Sequence, residues 1–166
     1  MTLDWLPPEM RPLVEQATEA QRLAATLWGE ARSEPVQGIV AVANVVRNRV
    51  QMDLQGDGRP DWWGEGYSAV VMKPAQFSCW SPTGGARNYQ RVLSLMQQFA
   101  AGHPITDPTV RECIGVAHLT IGHYLRDNTK GSTHYHAAAM TPRPKWARGL
   151  TPAVQHGNHV FYAGVP

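Results

Sequence analysis

The chain has 166 residues, 43% of them hydrophobic and 17% charged, which is enough for one domain with its own core. A net charge of +2 lacks the dense basic footprint of a nucleic-acid binder, so no nucleic-acid partner is expected. No apolar run reaches the length of a transmembrane helix, and no membrane insertion is expected.

The first segment, MTLDWLPPEMRP, places an acid and prolines where a secretion signal would carry basic residues and then an apolar run, so synthesis in the cytoplasm without a signal peptide is expected. Leu13, Ala17, Ala20, Ala24 and Leu27 recur at spacings of 4, 3, 4 and 3, which predicts a helix over 12–31. It runs out into Ser33, Glu34 and Pro35, where proline disfavours continuation. Glu30 stands at this helix end. An acid there, beside Trp28, is expected to be partly desolvated, the setting that suits a general acid.

Val36, Ile39, Val40, Ala43, Val46 and Val50 predict a buried second helix, although its β-branched residues alone would allow a strand. The polar, glycine-rich DLQGDGRPDWWGEG that follows is expected to be a loop. Residues 67–80 read as a short element and then an extended or turn segment around Pro74. Further helices are predicted over 86–101, stopped by Gly102, and over 108–125, opened by Pro108. The remainder is rich in Gly, Pro and His, with short strands near 133–138 and 158–163. Cys79 and Cys113 read as two small core thiols, with one bridge left open as an alternative.

Four segments follow one another along this framework: WGEARSEP with AVANVVRNRV behind it, AQFSCW, STHYHA, and Trp146 with HGNHVFY. Together they resemble the cell wall hydrolase family typified by the spore cortex-lytic enzymes, the SleB/CwlJ type, over about residues 21–162. The resemblance implies a mostly α (α+β) fold: a compact lysozyme-like helical domain with a few short strands, forming a single catalytic domain over 1–166. It implies a peptidoglycan glycosidase that cleaves the MurNAc–GlcNAc β-1,4 bond, with Glu30 as the catalytic acid. Ser33 departs from the glycine usual at that place, a change a turn tolerates. Peptidoglycan-binding repeats are absent from the sequence, which counts against a role in spore germination.

The same resemblance makes Thr133 and Tyr135 candidates for holding the glycan or steadying positive charge at the anomeric carbon. It also makes Gln76 and Ser78 donors to sugar groups, and Phe77 a ring that stacks or packs. On a strand, Thr133 and Tyr135 would share one face and His134 and His136 the other. Glycoside hydrolysis usually needs two carboxylates, and Glu34 is the nearest second acid. The shortage of others favours a lytic transglycosylase, in which the sugar's 6-hydroxyl replaces water and one acid suffices. No metal or other cofactor is then required. A rival reading is a zinc-dependent amidase or endopeptidase using His134, His136 and His159, and a third is a non-catalytic wall-binding or virion protein. The expected setting is a phage or prophage endolysin: a monomer acting on peptidoglycan glycan strands in the periplasm once the membrane is opened.

Overall fold

The computed structural model describes residues 2–53 and 62–165. Residues 54–61, most of the expected glycine-rich loop, lie outside the described residues. In chain order the elements are α1 (Arg11–Gln16), α2 (Glu19–Ala31), α3 (Val36–Asp53), α4 (Gly66–Val71), α5 (Ala86–Ala100), α6 (Pro108–Ile121), and the strands β1 (His134–Ala137), β2 (Val154–His156) and β3 (His159–Tyr162). The mostly helical class predicted from the sequence is the one observed.

The single helix expected over 12–31 is two. Ala17 is extended (φ −68°, ψ 147°), and Thr18 starts α2 afresh with a capping box. Its hydroxyl accepts from the Gln21 N–H at 3.2 Å, and its own N–H donates to Gln21 Oε1 at 2.8 Å. Such a cap contributes about 1 kcal/mol. Apolar spacing could not reveal the break, because the stripe keeps its phase through it. Residues buried on α2 lie all round the helix, and α3, α4, α5 and α6 pack against it, so it is the central element.

Asp107 caps α6 by accepting from the Thr109 and Val110 N–H groups. The helix ends at Ile121, four residues before the predicted end. The N–H of Tyr124 returns to the Leu119 carbonyl and that of His123 to Thr120, with His123 in the left-handed region at φ 60°. This is a Schellman closure in which His takes the place glycine usually fills. Cys79 and Cys113 are buried and unbridged.

β1, β3 and β2 form an antiparallel sheet in that order, with Tyr135 opposite Phe161 and Val154 opposite Phe161 on the other side. β2 was not predicted; three residues in a Pro- and Gly-rich stretch carry too little alternation to register.

The polar residues of α3 hold the loop that leads into β1. Asn44 donates to the Arg126 carbonyl and Asn128 Oδ1, each at 3.0 Å, and Arg47 donates to the Leu125 carbonyl. Asn48 reaches Asp127 Oδ2, Thr129 Oγ1 and the Ser132 carbonyl within 3.2 Å. Arg49 Nε donates to the Thr133 carbonyl at 2.8 Å. Asp127 accepts in turn from the Thr129 and Gly131 N–H groups. Burial pushes its carboxyl up, yet these donors outweigh burial and hold it below its ordinary value. The AVANVVRNRV part of the first segment is therefore a clamp: its apolar face fills the core and its polar face fixes the loop into β1. Among the described residues, no helix is long and apolar enough to cross a membrane.

Candidate active site

Glu30 lies on the last turn of α2, half-buried, at one side of a cleft of about 580 Å³. Its Oε1 accepts from the Cys79 backbone N–H at 3.2 Å and from the Ser78 hydroxyl at 3.4 Å. Its Oε2 accepts from the Tyr135 hydroxyl at 3.0 Å. Three separate stretches of chain thus meet on one carboxyl group. The Cys79 N–H can only donate, whereas a tyrosine hydroxyl can turn and accept. A proton carried by Glu30 therefore belongs on Oε2, beside Tyr135.

A glycine makes this meeting possible. A Cβ on Gly29 would stand 2.5 Å from Cys79 Cβ and 2.8 Å from its Sγ. Gly29 lets the 3₁₀ turn Ser78–Trp80 approach α2 closely enough for the Cys79 N–H to reach Glu30. Gly29→Ala is expected to cost roughly 1–3 kcal/mol by overpacking. It should also depress activity by pushing the turn off Glu30. Denaturant unfolding and turnover on purified peptidoglycan, measured on the same preparation, check both effects.

Tyr135 is expected to share the cleft with Glu30, Gln76 and Ser78, and all four line it. Burial and the charge of Glu30 push the Tyr135 hydroxyl well above its ordinary range, so it stays protonated. Two other candidates need correction. Phe77 is only 2% exposed, lies in the core and does not line the cleft; its ring sits 5.4 Å from the Arg49 guanidinium. Thr133 is also buried outside the lining, its carbonyl taken by Arg49 and its hydroxyl 3.0 Å from His134 Nδ1. Both were legible as members of a motif, but each is buried; the expected split of faces does not hold either, since His134, Tyr135 and His136 all line the cleft while Thr133 does not.

Glu34 is a structural acid. It is buried, and its Oε2 accepts from the Asn158 N–H at 2.8 Å, tying the β2–β3 turn to the break between α2 and α3. Gly157, at φ +55°, passes so close that a Cβ there would stand 1.9 Å from Glu34 Oε2. Trp28, expected to desolvate Glu30, does not line the cleft; its ring carries the Arg32 guanidinium at 5.3 Å.

The histidines of the zinc reading do not converge. Both ring nitrogens of His136 are engaged, Nε2 with the Tyr162 hydroxyl at 3.0 Å and Nδ1 with the Ala137 carbonyl at 2.8 Å. His134 packs between Trp63 and Trp146, and burial, then the Arg49 charge, pull it down to about 4. His159 lines the cleft edge-on to Tyr135, and burial lowers it as well. Among the described residues, no three His, Cys, Asp or Glu side chains cluster so as to hold a metal.

Arg49 was not among the sequence candidates. It lines the cleft, is 5% exposed, and its Nη1 is a buried donor without a hydrogen-bond partner among the described residues. Burial pulls its guanidinium down to about 10, while the negative charge of Glu30 pulls the other way, so it remains a cation in the cleft that Glu30 and Tyr135 also line. Its ring partner Trp63 lies 4.2 Å away. Two arginines, Arg47 and Arg49, in a largely apolar helix were the available signal.

The sequence profile described as Cell Wall Hydrolase matches residues 33–162. The match begins just after Glu30, so that residue's assignment rests on the geometry above. The catalytic domain of the germination-specific lytic transglycosylase SleB from Bacillus anthracis is similar in structure. It shows a TM-score of 0.51 and 23% identity over 86% of this chain and 92% of that one. At that identity the likeness is one of fold. No curated protein matches the sequence.

Proposed function

This chain belongs to the cell wall hydrolase family and is a peptidoglycan-degrading enzyme, and from that premise we propose that it cleaves the MurNAc–GlcNAc β-1,4 bond as a lytic transglycosylase. Glu30 gives its proton to the glycosidic oxygen as the bond to the anomeric carbon breaks. The resulting carboxylate then takes the proton of the sugar's 6-hydroxyl as that oxygen closes the 1,6-anhydro ring. No water is consumed, and Glu30 ends protonated as it began. Arg49, a cation lining the same cleft, offsets the negative charge that Glu30 carries between the two steps. Tyr135 holds Oε2 in place for both transfers.

The observation that carries this reading is the cleft's acid inventory. Among the described residues, Glu30 is the one carboxylate that lines the cleft, while Glu34 is bound to Asn158. A two-carboxylate hydrolase needs a second acid across the scissile bond. Mass spectrometry of products from purified peptidoglycan tests the proposal: 1,6-anhydro ends are expected, whereas reducing MurNAc ends would make the enzyme a hydrolase and cleaved peptides would make it neither.

Acid catalysis by Glu30 requires no metal. Prolonged dialysis against a strong chelator should leave turnover unchanged; loss of activity restored by zinc would move the chemistry to the histidines. The proposal extends to a single catalytic domain acting as a monomeric endolysin. Expression with and without a membrane-permeabilising protein checks that role: lysis should require both.

A further inference from the structure

The cleft continues past the groups that serve Glu30. A second hollow of about 450 Å³, lined by Trp62, Trp63, His134 and Val165, shares Trp62 and His134 with it, so one groove runs across the Trp62 ring. Trp62 is 62% exposed. Exposed indoles beside a groove mark places where something binds. The ring is held in place, edge-on to Trp63 with centroids 4.3 Å apart and with the Lys73 ammonium 4.1 Å from its centroid. Trp63 in turn lies on the Arg49 guanidinium, so the outer platform is braced against the residues around Glu30.

Among the described residues, basic side chains stand on this stretch of the groove, away from Glu30: Lys73 lies over the Trp62 ring. Pro144 and Trp146 line the cleft, and the exposed Arg143 and Lys145 flank Pro144 in the chain. From residue 128 to residue 166 the sequence carries Lys130, Arg143, Lys145 and Arg148 and no Asp or Glu. An aromatic platform suits the C–H face of a pyranose, and a cationic rim suits carboxylates.

We propose that the groove around Trp62, Lys73 and Lys145 is a second binding region that takes a neighbouring sugar of the same strand together with the carboxylates of its peptide stem. This rests on the glycan-cleaving reading above. The enzyme is then a reader of stem-bearing strands, preferring them to strands stripped of peptide. Stripped strands keep the sugar rings and one lactyl carboxylate per disaccharide but lose the stem's further acids.

The test compares kcat/KM on glycan strands of matched length with and without their peptide stems. The native protein is expected to favour stem-bearing strands by about tenfold, the size of a few surface charge contacts. Lys73→Gln combined with Lys145→Gln should bring that ratio close to one, while Lys73→Arg keeps it. Trp62→Ala should lower kcat/KM on both substrates by about tenfold, the loss of one aromatic contact. Because Trp62 is largely exposed, the variant opens no core cavity, and an unchanged melting temperature confirms that it is folded. Equal rates of the native protein on both strands, or a double variant with the native ratio, would overturn the proposal. A fully active Glu30→Gln would overturn the glycosidase reading instead, so the two failures are separable.

Discussion

Glu30→Gln is expected to leave a folded protein whose turnover of peptidoglycan falls by roughly 10²–10⁴-fold, the contribution of a positioned general acid. Gln keeps the volume of Glu, and its amide oxygen can still accept from the Cys79 N–H and the Ser78 hydroxyl. Its amide nitrogen faces Tyr135, whose hydroxyl can turn to accept. The local hydrogen bonds therefore survive and only the transferable proton is lost. Turbidity clearance and thermal unfolding of one preparation check both halves; native-rate clearance would remove Glu30 from the chemistry. Glu34→Gln is the matched control, because it weakens the charge-assisted contact to the Asn158 N–H outside the cleft. It should lose stability and retain most activity, and a Glu34→Gln as inactive as Glu30→Gln would restore a two-carboxylate mechanism.

Tyr135→Phe should lower activity by more than about tenfold, equivalent to ~1.4 kcal/mol of transition-state stabilisation. The ring contacts with Phe161 and His159 do not need the hydroxyl, so packing is retained. What goes is the donor that fixes Glu30 Oε2. The cleft is open, water can take the vacated place, and the stability loss should stay near 1 kcal/mol. Loss of rate with little change in unfolding free energy distinguishes orientation of the acid from packing. A Phe variant with the native rate would leave Tyr135 a packing residue.

Helix content was readable from the sequence because the apolar spacing of α3, α5 and α6 is regular and each start or stop carries a glycine, proline or cap residue. The break at Ala17 was not, because the capping box at Thr18 interrupts the backbone without disturbing the stripe. Glu30 was readable from its place at a helix end before Pro35, and Gln76, Ser78 and Tyr135 from motifs. Arg49 was hidden inside a segment that reads as a buried helix, where two arginines, Arg47 and Arg49, sit close together and only the fold tells which one faces the cleft. Thr133 and Phe77 show the reverse error: motif membership says that a residue matters, but only the fold says whether it faces the ligand or the core. Glu34 illustrates the same point, since its partner Asn158 is 124 residues away and no local pattern announces the pairing.

That distance has a consequence for how the protein becomes active. α2 is fully made early in synthesis, yet the hydroxyl that orients Glu30 comes from a strand 105 residues further on, and the turn that locks Glu34 comes later still. β1 is itself held in its sheet by β3, which ends at Tyr162. Contacts of such long sequence separation form late and slowly. A ribosome-bound chain that has emitted all six helices therefore carries Glu30 with its Ser78 and Cys79 donors but without the Tyr135 hydroxyl. Under the proposed mechanism lytic competence arrives only with the closing strands, and partial unfolding should abolish it while the helices still stand.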